Sequence, residues 1–94
     1  MKFMLTFTMR PETRDTAFAR FAKTQGRPPK GVALLGRWTR ADLSGGFDLL
    51  EGDDSTAIAE FALAWSDLLD VRVVPVVEDQ GLNQALARAG KQVA

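Results

Sequence analysis

The sequence predicts an α+β domain of βαββαβ order, with four strands in one antiparallel sheet, two helices on one face and a short third helix at the C-terminus. Three observations carry that expectation. Residues 2–9 alternate apolar and polar side chains with a period of two, which is the pattern of a half-buried strand. Residues 53–69 instead put Ala57, Ile58, Phe61, Ala62, Trp65 and Leu69 on one stripe at helical spacing. Short apolar runs fill the remaining length, separated by glycine- and proline-containing connections.

The first strand, residues 2–9, turns Phe3, Leu5, Phe7 and Met9 to one side and Lys2, Met4, Thr6 and Thr8 to the other. Pro11 suits the first turn of a helix, where a missing N–H costs nothing. Glu12 and Asp15 sit at the positive end of that helix and Lys23 near its negative end. Ala17, Phe18, Phe21 and Ala22 form its inner stripe, and Gly26 stops it before the stiff connection Arg27-Pro28-Pro29-Lys30-Gly31. A second strand covers residues 32–41 and a third 47–52. Asp42-Leu43-Ser44-Gly45-Gly46 between them supplies the glycines of a hairpin turn. Asp53 or Asp54 caps the second helix. Residues 70–78 make a valine-rich fourth strand, and Gly81 to Ala89 a last helix, with residues 90–94 expected to fray. This is the ferredoxin-like split βαβ order. It makes the first and third strands central, and Pro75, which lacks a ladder N–H, then falls on an edge strand, where it is tolerated.

Composition narrows the chemistry. The 94 residues are read as one domain, and 46% of them are hydrophobic. A chain of this size buries only roughly 60–65% of its unfolded surface alone, so burial against a partner is favoured. Twelve basic residues balance twelve acidic ones, which leaves no basic stripe for nucleic acid. Without cysteine or histidine there is no thiol or imidazole catalysis and no thiolate or imidazole metal site. No metal or cofactor is expected. The N-terminus has no signal-peptide core, and no run approaches the ~20 apolar residues of a membrane span. A cytoplasmic protein without a membrane partner is the expectation.

Two helices cover only one face of a four-stranded sheet. The expected covered face takes Phe3, Leu5, Phe7, Val32, Leu34, Trp38, Phe47, Leu49, Val71 and Val73. The other takes Met4, Thr6, Thr8, Leu35, Arg37, Thr39, Asp48, Leu50, Val74 and Val76. Half of that second set is apolar, too much for one contiguous exposed patch. A homodimer packed sheet against sheet is therefore expected, although the C-terminal helix could cover part of the face instead.

Several stretches together are distinctive. They are Met1-Lys2-Phe3-Met4, Leu35-Gly36-Arg37-Trp38, Ser44-Gly45-Gly46-Phe47, Trp65-Ser66-Asp67-Leu68-Leu69 and Val74-Pro75-Val76. The pattern resembles, over nearly the whole chain, a bacterial family catalogued only as a domain of unknown function, DUF3303, in the dimeric α/β-barrel group. The resemblance implies subunits that pair their sheets into a barrel, but no particular activity. Better-known barrel relatives include cofactor-independent monooxygenases, heme-degrading enzymes and isomerases. The heme-degrading members use a histidine iron ligand, which this chain lacks.

The candidate ligand-binding residues are Arg37, Trp38, Arg40, Asp48, Glu51 and Trp65. With Ala41 opposite Gly46, Arg37 and Asp48 become diagonal neighbours on the dimer-facing side. A guanidinium near a carboxylate there can bind an anionic group or, alternatively, fix the dimer register as an ion pair. Trp38 and Trp65 are expected to face each other across the helix–sheet layer, either as core or as walls of an aromatic cleft with Arg40 or Glu51 at its mouth. Glu51, Asp53 and Asp54 read as helix-capping carboxylates, and their spacing matches no calcium loop. Ser44-Gly45-Gly46 reads as a turn, not a phosphate loop. Three functions fit: a ligand-binding homodimer; a cofactor-independent, monooxygenase- or isomerase-like enzyme with Asp48 or Glu51 as base and Arg37 steadying an anion; or a structural, partner-binding module.

Overall fold

The computed structural model describes residues 1–91. Its elements run β1 (Lys2–Met9), α1 (Arg14–Thr24), β2 (Ala33–Thr39), β3 (Gly45–Glu51), α2 (Ser55–Trp65), β4 (Leu69–Val76) and α3 (Asp79–Arg88). The four strands form one antiparallel sheet in the order β2-β3-β1-β4. This is the ferredoxin-like α+β arrangement, with β1 and β3 central. Pro75 lies on the edge strand β4, as its missing donor demands. Residues 92–94, part of the segment expected to fray, lie outside the described residues. Among the described residues no helix is long and apolar enough to cross a membrane.

Element boundaries moved for identifiable reasons. The turn at Pro11 does not open α1 directly, because Thr13 N–H first closes a turn onto the Arg10 carbonyl at 3.1 Å. The helix then starts at Arg14, with Thr13 as its N-cap residue. Asp54, not Asp53, caps α2, its carboxylate accepting from Thr56 N–H at 2.9 Å. Gly45 and Gly46 belong to β3 rather than to the hairpin turn, where Leu43 takes the left-handed backbone. A Cβ on Gly45 would collide with the Phe7 carbonyl, and one on Gly46 with the Trp38 carbonyl and the Phe7 ring. The glycine pair therefore serves close strand packing rather than the turn.

The core lies between the sheet and the two helices. Phe3, Leu5 and Leu50 from the sheet pack with Val32 and with Ala57, Ile58 and Phe61 of α2. A second cluster gathers Ala17 of α1 with Leu68 and Leu69. Leu69 opens β4 rather than ending the helix stripe.

One irregularity reassigns the faces. β2 pairs Leu34 with Leu50 but Gly36 with Leu49, so Leu35 is an extra residue, a β-bulge. Side-chain alternation slips by one there. Leu34 and Arg37 consequently share the helix-covered face, and Trp38 moves to the other. Since β1 pairs Phe3 with Leu50 and Leu5 with Asp48, Asp48 and Leu50 also lie on the covered face, against expectation, while Phe47 and Leu49 lie on the open one. The open face thus carries Met4, Trp38, Phe47, Leu49, Val74 and Val76. Trp38 is 58% exposed, its indole lying across Gly36, and Leu35, Phe47 and Val74 are also exposed. Helix α3 does not cover them: none of its residues is buried.

Candidate functional site

Beneath α1 lies an apolar cavity of about 250 Å³. Leu5, Phe7 and Met9 of β1 form its floor with Val71 and Leu69 of β4. Phe18 and Phe21 of α1 and Phe61 and Trp65 of α2 form the roof and sides. Its polar wall is Arg37, Asp48 and Thr39, from the β2–β3 hairpin. The cavity exists because α1 stands away from the sheet. Of its eleven residues only Ala17 is buried, and Phe21 remains 41% exposed.

Beyond the one packed point at Ala17, polar tethers hold α1 in place. At its start the Thr13 hydroxyl donates to the Leu68 carbonyl at 2.6 Å. On its side Arg20 donates to both Asp67 carboxylate oxygens, at 2.9 and 2.7 Å, and to the Ala64 carbonyl at 2.9 Å. The guanidinium also lies 5.3 Å from the Trp65 ring centre. That hydrogen bond from Arg20 holds the Asp67 carboxyl below its ordinary value. At the helix end, Gln25 and Gly26 both adopt left-handed backbone and turn their carbonyls toward Arg37. Nη1 of Arg37 donates to Gln25 O at 3.0 Å and Nη2 to Gly26 O at 2.7 Å. Gly26 is required twice there: its φ is +61°, and a Cβ would sit 2.6 Å from Arg37 Nη1.

Arg37 is joined to Asp48 by a two-pronged ion pair, Nε to Oδ1 at 2.7 Å and Nη2 to Oδ2 at 3.1 Å. Asp48 is 3% exposed, the one charged side chain buried in the core among the described residues. The two residues stand directly opposite each other in the β2–β3 ladder rather than diagonally. They face the helices, not the open face: Arg37 because the bulge at Leu35 turned it over, Asp48 because β3 pairs it with Leu5 of β1. The expectation of an arginine–aspartate pair therefore stands, and its placement on the dimer-facing side is corrected.

The other candidates separate. Trp65 lines the cavity, whereas Trp38 is on the opposite side of the sheet, so the two indoles do not share a cleft. Arg40 pairs with Asp42 within the hairpin loop at 2.9 Å, away from the cavity mouth. The Arg40 and Ser44 hydrogen bonds hold the Asp42 carboxyl well below the usual carboxylate range. Glu51 ends β3 opposite Lys2, is exposed and does not line the cavity. Asp53 lies 3.6 Å from the N-terminal amine. Among the described residues no cluster of acidic side chains is placed to hold a metal ion. Sequence reasoning did not single out Phe7, Phe18, Phe21 and Phe61 as lining residues. Their strand and helix spacing marks them as inward-facing, which a packed core and a cavity wall share.

Fold and site together define a ferredoxin-like α+β protein with an apolar cavity held open between one helix and the sheet. The chain belongs to the family described as Domain of unknown function (DUF3303), which matches residues 1–90. No curated protein and no solved structure matches it.

Proposed function

We propose that this single-domain chain is a small-molecule-binding protein that works as a homodimer, with one ligand in the cavity of each subunit. The cavity is the observation that carries the reading. Interiors of this kind pack to crystal-like density with few voids larger than water. An apolar space of about 250 Å³ that solvent can enter leaves its walls short of the burial a packed interior gives, roughly 25 cal/mol for each Å² wetted. An occupant recovers it. The enzyme reading has less support: both oxygens of Asp48 already accept from Arg37, and Glu51 is not at the cavity. A purely structural module would have no use for the space.

The dimer reading rests on the open face. With Trp38, Phe47 and Leu49 there in place of Arg37, Asp48 and Leu50, that face is more apolar than the sequence pattern suggested, and among the described residues no element covers it. Burying such a patch is favourable at roughly 25 cal/mol per Å², and a second copy offers the same apolar patch under two-fold symmetry. The short dimension of the molecule, 17 Å, fits one sheet with a single helix layer and nothing behind it. A bacterial, cytoplasmic setting completes the reading, on the family resemblance and the absence of cysteine.

Two measurements test it. Light scattering at micromolar concentration is expected to give twice the 10.3 kDa chain mass, falling to one chain for Trp38→Glu. A thermal-shift panel of small aromatic and aliphatic compounds is expected to raise the Tm by several degrees for some members, and Ala17→Leu, which intrudes on the cavity, is expected to abolish the shift. A monomer mass for the unaltered chain sinks the dimer. No shift across the panel sinks the ligand reading.

A further inference from the structure

Resting on the pocket reading above, we propose that the cavity takes an uncharged bicyclic aromatic compound carrying one hydroxyl group, and discriminates against anions and cations. Among the described residues Arg37 and Asp48 are the only ionised side chains on its wall, and they neutralise each other through two hydrogen bonds. An arginine offers five N–H donors. Four are engaged here, two by Asp48 and two by the Gln25 and Gly26 carbonyls. An incoming carboxylate or phosphate would lose its hydration and find a guanidinium with one N–H left, its charge already balanced by Asp48. A cation would meet the mirror-image problem at the guanidinium.

A hydroxyl suits the same wall. Among the described residues Asp48 accepts hydrogen bonds from Arg37 alone, so its oxygens retain lone pairs for an O–H donor. An all-carbon ligand offers those lone pairs no donor.

Size and shape set the rest. An apolar protein cavity of ~150 Å³ holds benzene, so about 250 Å³ corresponds to roughly ten non-hydrogen atoms on the same scale. Five rings line the space, from Phe7, Phe18, Phe21, Phe61 and Trp65, and such walls favour offset-stacked and edge-to-face contact with a flat ligand.

The test compares three probes of one shape, 2-naphthol, naphthalene and 2-naphthoate, by calorimetric titration of the full chain. The Trp65 indole N–H resonance reports occupancy of this cavity, and that of Trp38 serves as the control on the opposite face. The expected result is 2-naphthol binding at least tenfold tighter than either of the others, with Trp65 shifting and Trp38 still. In Asp48→Asn the advantage over naphthalene is expected to fall below threefold; where that variant does not fold, the ranking on the unaltered chain decides. 2-Naphthoate binding as tightly as 2-naphthol, or naphthalene matching it, overturns the proposed ligand class while leaving a ligand-binding pocket intact. No binding by any of the three also overturns it, and the broader compound panel then decides separately whether the cavity takes any ligand.

Discussion

Helix α2 buries Ala57, Ile58 and Phe61 against the sheet, whereas α1, also eleven residues long, buries Ala17 alone. The two lie on the same face and differ in what holds them. α2 is fixed along its length by apolar packing, which is non-directional and closes space. α1 is fixed at Thr13, Arg20 and the Gln25–Gly26 end by hydrogen bonds and an ion pair, which act at a distance set by the side chains that make them. A helix hung on long polar side chains can stand away from the sheet, and the gap beneath it is the cavity. Local opening also costs less for an element with few buried contacts, so on the proposed function a ligand would enter from the α1 side.

That contrast can be broken or sharpened by substitution. The largest effect is expected for Phe61→Ala on α2, which removes a ring that is 4% exposed and costs about 4 kcal/mol. Phe21→Ala on α1 is expected to cost less than ~1 kcal/mol, because its ring is already largely in solvent or over the cavity. Equal losses in urea denaturation would mean that α1 is packed like α2. Next comes Arg37→Leu, which strands Asp48 as a buried unpaired charge and frees the end of α1. It is expected to cost about 3 kcal/mol, and adding Asp48→Leu to recover part of that loss. A double variant less stable than Arg37→Leu alone would show that the pair is not the reason.

Smaller effects follow. Ala17→Leu crowds the one packed point of α1, where Ala17 meets Leu68 and Leu69 beside the cavity, and is expected to cost about 1 kcal/mol; a gain instead would show that the cavity takes up the added methyl groups. The smallest concerns the exposed α1–α2 tether. Asp67 is held below its ordinary 3.8, first by the hydrogen bond from Arg20. A carboxyl whose pKa falls on folding contributes stability above its unfolded value and loses it as pH drops through its folded value. The stability gap between the unaltered chain and Asp67→Asn is therefore expected to hold constant above about pH 5 and to shrink below pH 3.8. A gap unchanged down to pH 2 would remove Asp67 from the tether.

Much of the fold was legible because its signals are local. Alternation in residues 2–9 and the stripe from Ala57 to Trp65 depend only on backbone period. Pro75 announced an edge strand through one missing N–H. The pairing of Arg37 with Asp48 was legible as well, since an arginine and an aspartate on one hairpin seek each other. Its position was not. The faces of β2 depend on a bulge at Leu35, and nothing in Ala33-Leu34-Leu35-Gly36 distinguishes a bulged strand from a regular one before it pairs. The same slip misplaced Trp38, and the two-residue hairpin offset followed from reading Gly45 and Gly46 as turn residues when strand packing required them.

The sequence by itself determined the element order, the sheet topology and the excess of apolar surface for a domain this size, because these follow from side-chain period and composition summed over many residues. Only the tertiary structure decided which face holds the charged pair and that a cavity exists at all. Both turn on pairings between distant segments: for the faces, the extra residue at Leu35 against β3 and the β1–β3 register; for the cavity, the reach of Arg20 and Arg37 to backbone and carboxylate oxygens across the layer. An inward-facing phenylalanine looks the same in sequence whether it meets another side chain or an empty space.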